Sequence, residues 1–322
     1  MKAIEIEGDA LALRDVPDPT PGDGEILIRT RATAVNRADL VQRAGAYPPP
    51  PGASPILGLE CAGVVEAIGP GVERHAVGDE VCALLSGGGY AERIVCPEVQ
   101  ALPVPDGVSL VDAAALPEVF ATAFLNLYLE AAAQPGERFL LHAGASGVGT
   151  AGIQLARCFG NPVWVTAGSQ EKIARCVELG AEGGHVRHDG SFVDAVRGWT
   201  DGSGMDVILD PVGGAYLADN IASLAVDGRL VVIGLMGGAK AELPLGVAMV
   251  KRLRVIGSTL RARPVAAKGE VMAQLEARVW PRIAASEIAP IIEARMPLED
   301  AAAAHALIAG DETVGKVLLT VD

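Results

Sequence analysis

The sequence predicts an α/β protein in which a doubly wound parallel sheet is preceded by a β-rich domain. Three observations lead there. An apolar run, Phe139-Leu-Leu141, passes through a glycine turn, Gly144-Ala145-Ser146-Gly147-Val148-Gly149, into an amphipathic run at 151–159, which is the order strand, turn, helix. Apolar runs recur at 163–166, 205–210 and 229–234, each separated from the next by a stretch of helical period, the rhythm of βαβαβ units. Before residue 110 that rhythm is missing, and short alternating runs lie between turns rich in Pro, Gly and Asp.

In chain order, 2–7, 11–15 and 25–36 read as strands, with the turn Asp18-Pro-Thr-Pro-Gly-Asp-Gly24 before the third. Pro48-Pro-Pro-Pro51 is too short for a linker but stiff enough to form a fixed wall. Helical spacing runs through 111–116 and 119–133, and the α/β alternation then lasts to about Ser258. A helix at 269–283, a strand at 291–295, a helix at 298–308 and a strand at 316–321 close the chain. Elements spaced so irregularly do not extend the central sheet, so the tail is expected to fold back onto the N-terminal domain.

With 322 residues, 50% hydrophobic and 20% charged, the chain is long enough for two domains and too apolar for disorder. A net charge of −14 argues against a grip on nucleic acid or anionic lipid. Cys61, Cys82, Cys96, Cys158 and Cys176 are scattered without C-x-x-C spacing, which argues against a disulfide framework or zinc knuckle and suits free thiols in a reducing compartment. Residues 1–7 alternate like a strand rather than a signal peptide, and no uncharged run approaches the length of a membrane span. The expectation is a soluble cytoplasmic protein that binds neither membrane nor nucleic acid.

The glycine turn suits a pyrophosphate. Gly144, Gly147 and Gly149 let the backbone turn tightly, approach the ligand and seat the helix on the sheet, while the helix N-terminus offers unpaired N–H groups to an anion. The piece Gly144-Ala-Ser146-Gly-Val148 imitates a hydrolase nucleophile elbow, but that motif needs glycine where Val148 stands. Ser146 is therefore either a small residue fitted to the turn or a direct participant in catalysis.

Asn36-Arg-Ala-Asp39, Gln42-Arg-Ala-Gly45, Tyr47-Pro48, Leu57-Gly-Leu-Glu60-Cys-Ala-Gly63, Val77-Gly-Asp79, Gly87-Gly-Gly-Tyr-Ala-Glu92, Ala143 to Gly149 and Ala167-Gly-Ser169 occur in that order. Together they resemble the zinc-free medium-chain dehydrogenase/reductases, and more narrowly the NADPH:quinone oxidoreductases of the ζ-crystallin type, including the branch whose human member is induced by a tumour suppressor. The resemblance runs from the first strand to Gly315-Lys316-Val317. It implies a GroES-like catalytic domain from 1–117 and 264–322, a Rossmann domain at 118–263 that binds NADP, and an active site in the cleft between them. It also implies a homodimer joined edge to edge through Arg254-Val-Ile-Gly-Ser258.

A NAD-binding Rossmann unit carries an acidic residue about 20 positions beyond its glycine turn, on the ribose 2′-hydroxyl. Here the corresponding segment is Ala167-Gly168-Ser169-Gln170-Glu171-Lys172. Gly168 leaves room, Ser169 can donate a hydrogen bond, and Lys172 either reaches a 2′-phosphate or is an exposed helix-surface charge; NADPH is the expected cofactor. The resemblance adds His188, helped by Arg187, at the 2′-phosphate, where the nearest branch has tyrosine. It also sets Gly234-Leu235-Met236 and Ser258-Thr259-Leu260 beside the nicotinamide.

Zinc-dependent relatives polarise their substrate with a metal acting as Lewis acid. By the same resemblance Asn36 stands in the place of the cysteine ligand and Leu59 in that of the histidine, so no metal is expected. His75, His142, His185, His188 and His305 show no ligand spacing, and His142 reads as a satisfied core residue. Without a Lewis acid the substrate must accept hydride readily, as a quinone does given proximity and orientation. Tyr47 and the proline wall then shape the pocket, unless Tyr47 serves only packing. Asn36 positions the nicotinamide or the substrate oxygen, unless it only caps a helix starting at Arg37. Val41 stands where bacterial quinone reductases commonly carry a tyrosine. The alternatives are a zinc-free enoyl or alkenal reductase acting on an enone, and a non-catalytic NADPH-binding protein.

Overall fold

A hairpin opens the chain: β1 (Lys2–Glu7) pairs antiparallel with β2 (Ala10–Asp15), Lys2 opposite Asp15. The computed structural model describes residues 1–321. Next comes β3 (Glu25–Val35), which buries alternate side chains from Ile26 to Thr30 and every side chain from Ala32 to Val35. It pairs antiparallel with β4 (Glu60–Ile68), and β4 pairs in turn with β5 (Glu80–Leu84). Strand β6 (Arg93–Pro97) lies on the N-terminal half of β3, and β7 (Ala101–Pro103) on β5. Between β3 and β4, the short helix Arg37–Arg43 starts directly after Asn36.

Residues 122–259 form a second compact unit. Its strands are β8 (Phe139–Leu141), β9 (Val163–Ala167), β10 (Gly183–Val186), β11 (Met205–Asp210), β12 (Leu224–Val232) and β13 (Arg254–Gly257). All neighbours are parallel, in the order β10-β9-β8-β11-β12-β13. The winding reverses between β8 and β11, the point where doubly wound sheets bind ligands beyond their strand C-termini. Strand β8 is an unbroken apolar run and β11 carries another at Val207 to Leu209, as burial on both faces requires; Leu140, Ile208 and Leu230 join Phe192, Ile221 and Leu224 in one core.

The first unit resumes at residue 260. Strand β14 (Ile292–Pro297) pairs parallel with β15 (Lys316–Thr320), which pairs antiparallel with β3, Val317 opposite Val35. Residues nearly three hundred positions apart thus share one sheet and one core, which includes Val35, Leu57, Tyr90, Leu298 and Val317.

Two expected helices differ. The stretch 119–133 forms Pro117–Phe124 followed by a π-helical turn, Leu125–Glu130, where Asn126 Nδ2 donates to the Thr122 carbonyl at 2.8 Å and competes with the helical ladder. The helix expected at 269–283 starts earlier and splits into Val265–Arg278 and Trp280–Ala284; Pro281 has no N–H to continue the ladder.

Candidate functional site

In the second unit, the candidate cofactor residues gather along the edge formed by the C-terminal ends of the strands. Gly144 to Val148 follow β8, Gly168 and Ser169 follow β9, His188 follows β10, Gly234 to Met236 follow β12, and Ser258 and Thr259 follow β13. Helix Gly147–Phe159 starts inside the glycine turn, four residues before the apolar period becomes visible, because Ser146 caps it: Ser146 Oγ accepts the Gly149 N–H at 3.1 Å. The amides of Gly147 and Val148 remain as unpaired donors of the first turn, beside an exposed Ser146 hydroxyl. The turn tolerates no larger residue, since a Cβ on Gly149 would meet the Gly144 carbonyl oxygen at 2.4 Å and one on Gly144 the Val165 side chain at 2.5 Å. Ala145 is buried against this turn, and Ala143 adopts φ +54° to enter it.

Sheet register sets 168–172 against 187–188. Val186 is opposite Ala167, and the Arg187 N–H donates to the Ala167 carbonyl at 2.9 Å. Ser169 caps helix Gln170–Leu179, its Oγ accepting the Lys172 N–H at 3.3 Å. Lys172 is only 9% exposed, which removes the reading of a solvated helix-surface charge. His188 is exposed, and its Nε2 accepts from Arg187 Nε at 3.1 Å. Leu235 and Met236 project into solvent, 58% and 53% exposed, while the Ser258 N–H donates to the Val232 carbonyl at 3.0 Å.

Beneath this edge runs a buried polar chain that sequence reading missed. Thr166 Oγ1 contacts His142 Nδ1 at 2.9 Å, His142 Nε2 contacts Asn220 Oδ1 at 2.7 Å, and Asn220 Nδ2 donates to Asp210 Oδ2 at 3.0 Å. Asp210 Oδ1 also accepts the N–H groups of Val212 and Gly213. The chain crosses β9, β8 and β11 and fixes the loops at the switch point. Burial pushes His142 down to about 4, so its ring is neutral at neutral pH, and it is the satisfied core residue the sequence suggested. Asn220 and Asp210 gave no signal of their own, because only the fold brings them to His142.

The first unit holds Asn36, Tyr47 and Leu260. Helix Arg37–Arg43 starts where an Asn36 cap would place it; Asp39 Oδ2 accepts the Asn36 N–H at 2.8 Å. The Asn36 side chain has other partners: Nδ2 donates to Glu60 Oε1 at 3.0 Å and to the Ala34 carbonyl at 3.4 Å, and Oδ1 accepts from Lys316 Nζ at 2.6 Å. Lys316 also stands 2.7 Å from Glu60 Oε1. A second buried group adjoins this one: Asp39 accepts from Gly58 N–H and Tyr90 OH, and Tyr90 OH contacts His305 Nε2 at 3.1 Å. Burial pushes Asp39 up to about 6. Tyr47 is half-buried, with its hydroxyl unbonded to any described residue, and the Arg261 guanidinium lies over its ring. Leu260 is 8% exposed. The sequence reading missed Arg261 and Lys268 entirely, since an isolated charge in a loop or on a helix carries no periodicity.

These residues do not suit a zinc ion. Asn36 is engaged at both ends of its amide, Leu59 is an apolar core residue, and the Lys316 ammonium already neutralises Glu60. Burial raises the Cys61 and Cys82 thiols, against the thiolate form that a metal needs. Among the described residues no group of three His, Cys, Asp or Glu is arranged to hold a metal.

The chain matches the alcohol dehydrogenase GroES-like domain over residues 22–106 and the zinc-binding dehydrogenase domain over 147–276. It is 30% identical over 307 residues to the quinone oxidoreductase of Rattus norvegicus, covering 95% of this chain and 92% of that protein. The chain belongs to the zinc-free medium-chain dehydrogenase/reductases. Its fold is that of the Escherichia coli quinone oxidoreductase complexed with NADPH, at TM-score 0.88 and 27% identity over 99% of both chains. The JamJ enoyl reductase is equally similar, at TM-score 0.89 and 26% identity over 100% of this chain and 99% of that one. Among curated proteins the chain is also 32% identical to a mycocerosic acid synthase-like polyketide synthase of Mycolicibacterium smegmatis, over 94% of this chain. It spans only 14% of that synthase's length.

Proposed function

We propose that the protein is an NADPH-dependent reductase that transfers hydride to a quinone without a metal. The observation that carries this reading is the Asn36 group: its amide and Glu60 are saturated by one another and by Lys316, so it offers neither a Lewis acid nor a free proton donor. Hydride transfer then needs a substrate reactive enough to accept it on positioning alone. A similarity to the rat quinone oxidoreductase over nearly the whole of both chains supports the same reading.

In this proposal the glycine-turn amides and Ser146 hydroxyl bind the pyrophosphate of NADPH, and Ser169, Lys172 and the Arg187–His188 pair bind the 2′-phosphate. The backbone at Gly234 to Met236 and Ser258 to Leu260 borders the nicotinamide. Asn36 Nδ2 has no hydrogen left for a substrate oxygen, both being donated, to Glu60 and to the Ala34 carbonyl. When bound, the cofactor supplies the hydride; Tyr47 and the proline wall orient the acceptor.

A homodimer belongs to the same proposal, supported by β13 as an edge strand and by the neighbouring helix Leu245–Val250, where Leu245, Met249 and Val250 are 70%, 74% and 72% exposed. Residence in the cytoplasm is proposed from the cysteines, all unpaired. Among the described residues no helix is long and apolar enough to cross a membrane.

Enoyl reduction is the second reading, favoured by the likeness to the JamJ enoyl reductase and to the polyketide synthase. Steady-state rates with NADPH and a panel of quinones and enones test the choice. Quinone turnover at least tenfold above enone turnover is expected, and the reverse order would replace this reading with the second.

A further inference from the structure

Arg261 is a buried cation with no carboxylate in ion-pair contact among the described residues; Asp39 acts on it only from a distance. It is 5% exposed and donates to Gln42 Oε1 at 2.7 Å, to the Ser86 carbonyl at 2.8 Å and to the Tyr47 carbonyl at 3.3 Å, all neutral acceptors. Beside it Lys268, 3% exposed, donates to Ser86 Oγ and to the Arg261 carbonyl. Neither cation forms an ion pair among the described residues. Burying a cation without a counter-ion is costly, so its field acts on whatever lies nearest. The aromatic group it faces is the Tyr47 ring, whose centroid is 5.2 Å from the guanidinium carbon. Three fixed bonds hold the planar fork in that position, a geometry lysine cannot copy.

We propose that Arg261 is a positioning residue that acts through Tyr47: its guanidinium fixes the ring and polarises the phenol to donate a hydrogen bond to the substrate oxygen that gains charge on reduction. The proposal rests on the reading of Tyr47 as a pocket residue of a reductase. A quinone that accepts hydride becomes a hydroquinone anion, which takes its second hydrogen as a proton from water; until then a hydrogen bond to its charged oxygen assists the transfer without being required for it. The Tyr47 hydroxyl is unbonded to any described residue and available for that. Three influences set its acidity: burial raises the phenol, Arg261 pulls it down, and Glu118 raises it. Lys268 is not among them.

The test starts without turnover. The chain has four tyrosines, so 13Cζ-tyrosine NMR resolves Tyr47 in cofactor-free protein, with Tyr47→Phe giving the assignment. Arg261→Gln should raise the Tyr47 titration by about one pH unit, the scale of a lost neighbouring charge. Lys268→Met should leave it in place. With a quinone, Arg261→Gln should lower kcat roughly two- to fivefold in the Tyr47 background and not at all in the Tyr47→Phe background, since interacting residues are non-additive. An unmoved titration, or an equal loss in both backgrounds, would overturn the proposal by reducing Arg261 to a packing role. Should Arg261→Gln not fold, Arg261→Lys replaces it: a charge released from its fork should shift the titration by a smaller measurable step, and no shift counts equally against. If the protein turned out not to reduce quinones, the titration would still answer for Arg261, so the two failures are distinguishable.

Discussion

Replacing Lys316 by methionine should destabilise the first unit more than any other single side-chain change at the candidate site. Lys316 is 3% exposed, and its ammonium has three acceptors: the Val35 carbonyl at 2.9 Å, Asn36 Oδ1 at 2.6 Å and Glu60 Oε1 at 2.7 Å. Lys316→Met keeps the volume and removes all three bonds. Glu60, 0% exposed, is then left with two donors, Asn36 Nδ2 and the Glu118 N–H. Removing one partner of a buried pair costs about 3–5 kcal/mol, and the two surviving bonds place this case near the lower end. For a domain of this size each kcal/mol lowers the melting midpoint by about 2–4 °C, so a drop of roughly 6–12 °C is expected by circular dichroism. Adding Glu60→Gln should recover most of it, because the buried charge is then gone. A Lys316→Met protein that melts within about 2 °C of the parent would refute the view that the pair is dry and mutually neutralised.

Other expectations follow from the second unit. NADPH should be preferred to NADH by roughly tenfold or more in kcat/KM, since a charge-assisted contact is worth about 1.5–3 kcal/mol, and Lys172→Ala should erase most of that preference; equal values in the parent would contradict it. His142 is held neutral with its pKa pushed from 6.5 down to about 4, so the unfolded chain binds more protons between those values. Its contribution, on the order of 3 kcal/mol, is therefore complete above pH 6.5 and lost as pH falls toward 4. The difference between the parent and His142→Gln in urea midpoint against pH should show that slope and separate it from Asp39, whose raised value acts in the opposite sense; a flat difference would contradict it. Light scattering at micromolar concentration should give the mass of a dimer, and Met249→Glu on the exposed helix should shift it toward monomer.

The parallel sheet was legible because burial on both faces forces unbroken apolar runs, and the glycine turn because close backbone approach leaves no alternative residue at Gly144 and Gly149. The strands β4 to β7 were not read from periodicity; β4, for one, is buried on both faces at Cys61, Ala62 and Gly63, so no alternation marks it. Helix Arg37–Arg43 shows as little, because its buried residues include Asp39 and Gln42, polar groups whose partners lie at Gly58 and Arg261. Asn36 was visible as a candidate, yet the engagement of its amide was not, because Lys316 reaches it only through the pairing of β15 with β3. The same holds for Arg261 on Tyr47. Contacts across hundreds of residues leave no local pattern, and in this protein they decide which polar atoms remain free.

Turnover by Tyr47→Phe tests the central claim most directly. If the protein reduces quinones by hydride transfer that needs no positioned acid, the substitution keeps the ring under Arg261 and should cost less than about tenfold in kcat with the best quinone, in protein whose melting is unchanged. A loss of about 10²–10⁴-fold in enone turnover by folded protein, with quinone rates negligible in both forms, would contradict the account and assign the phenol to an enoyl reductase as its general acid.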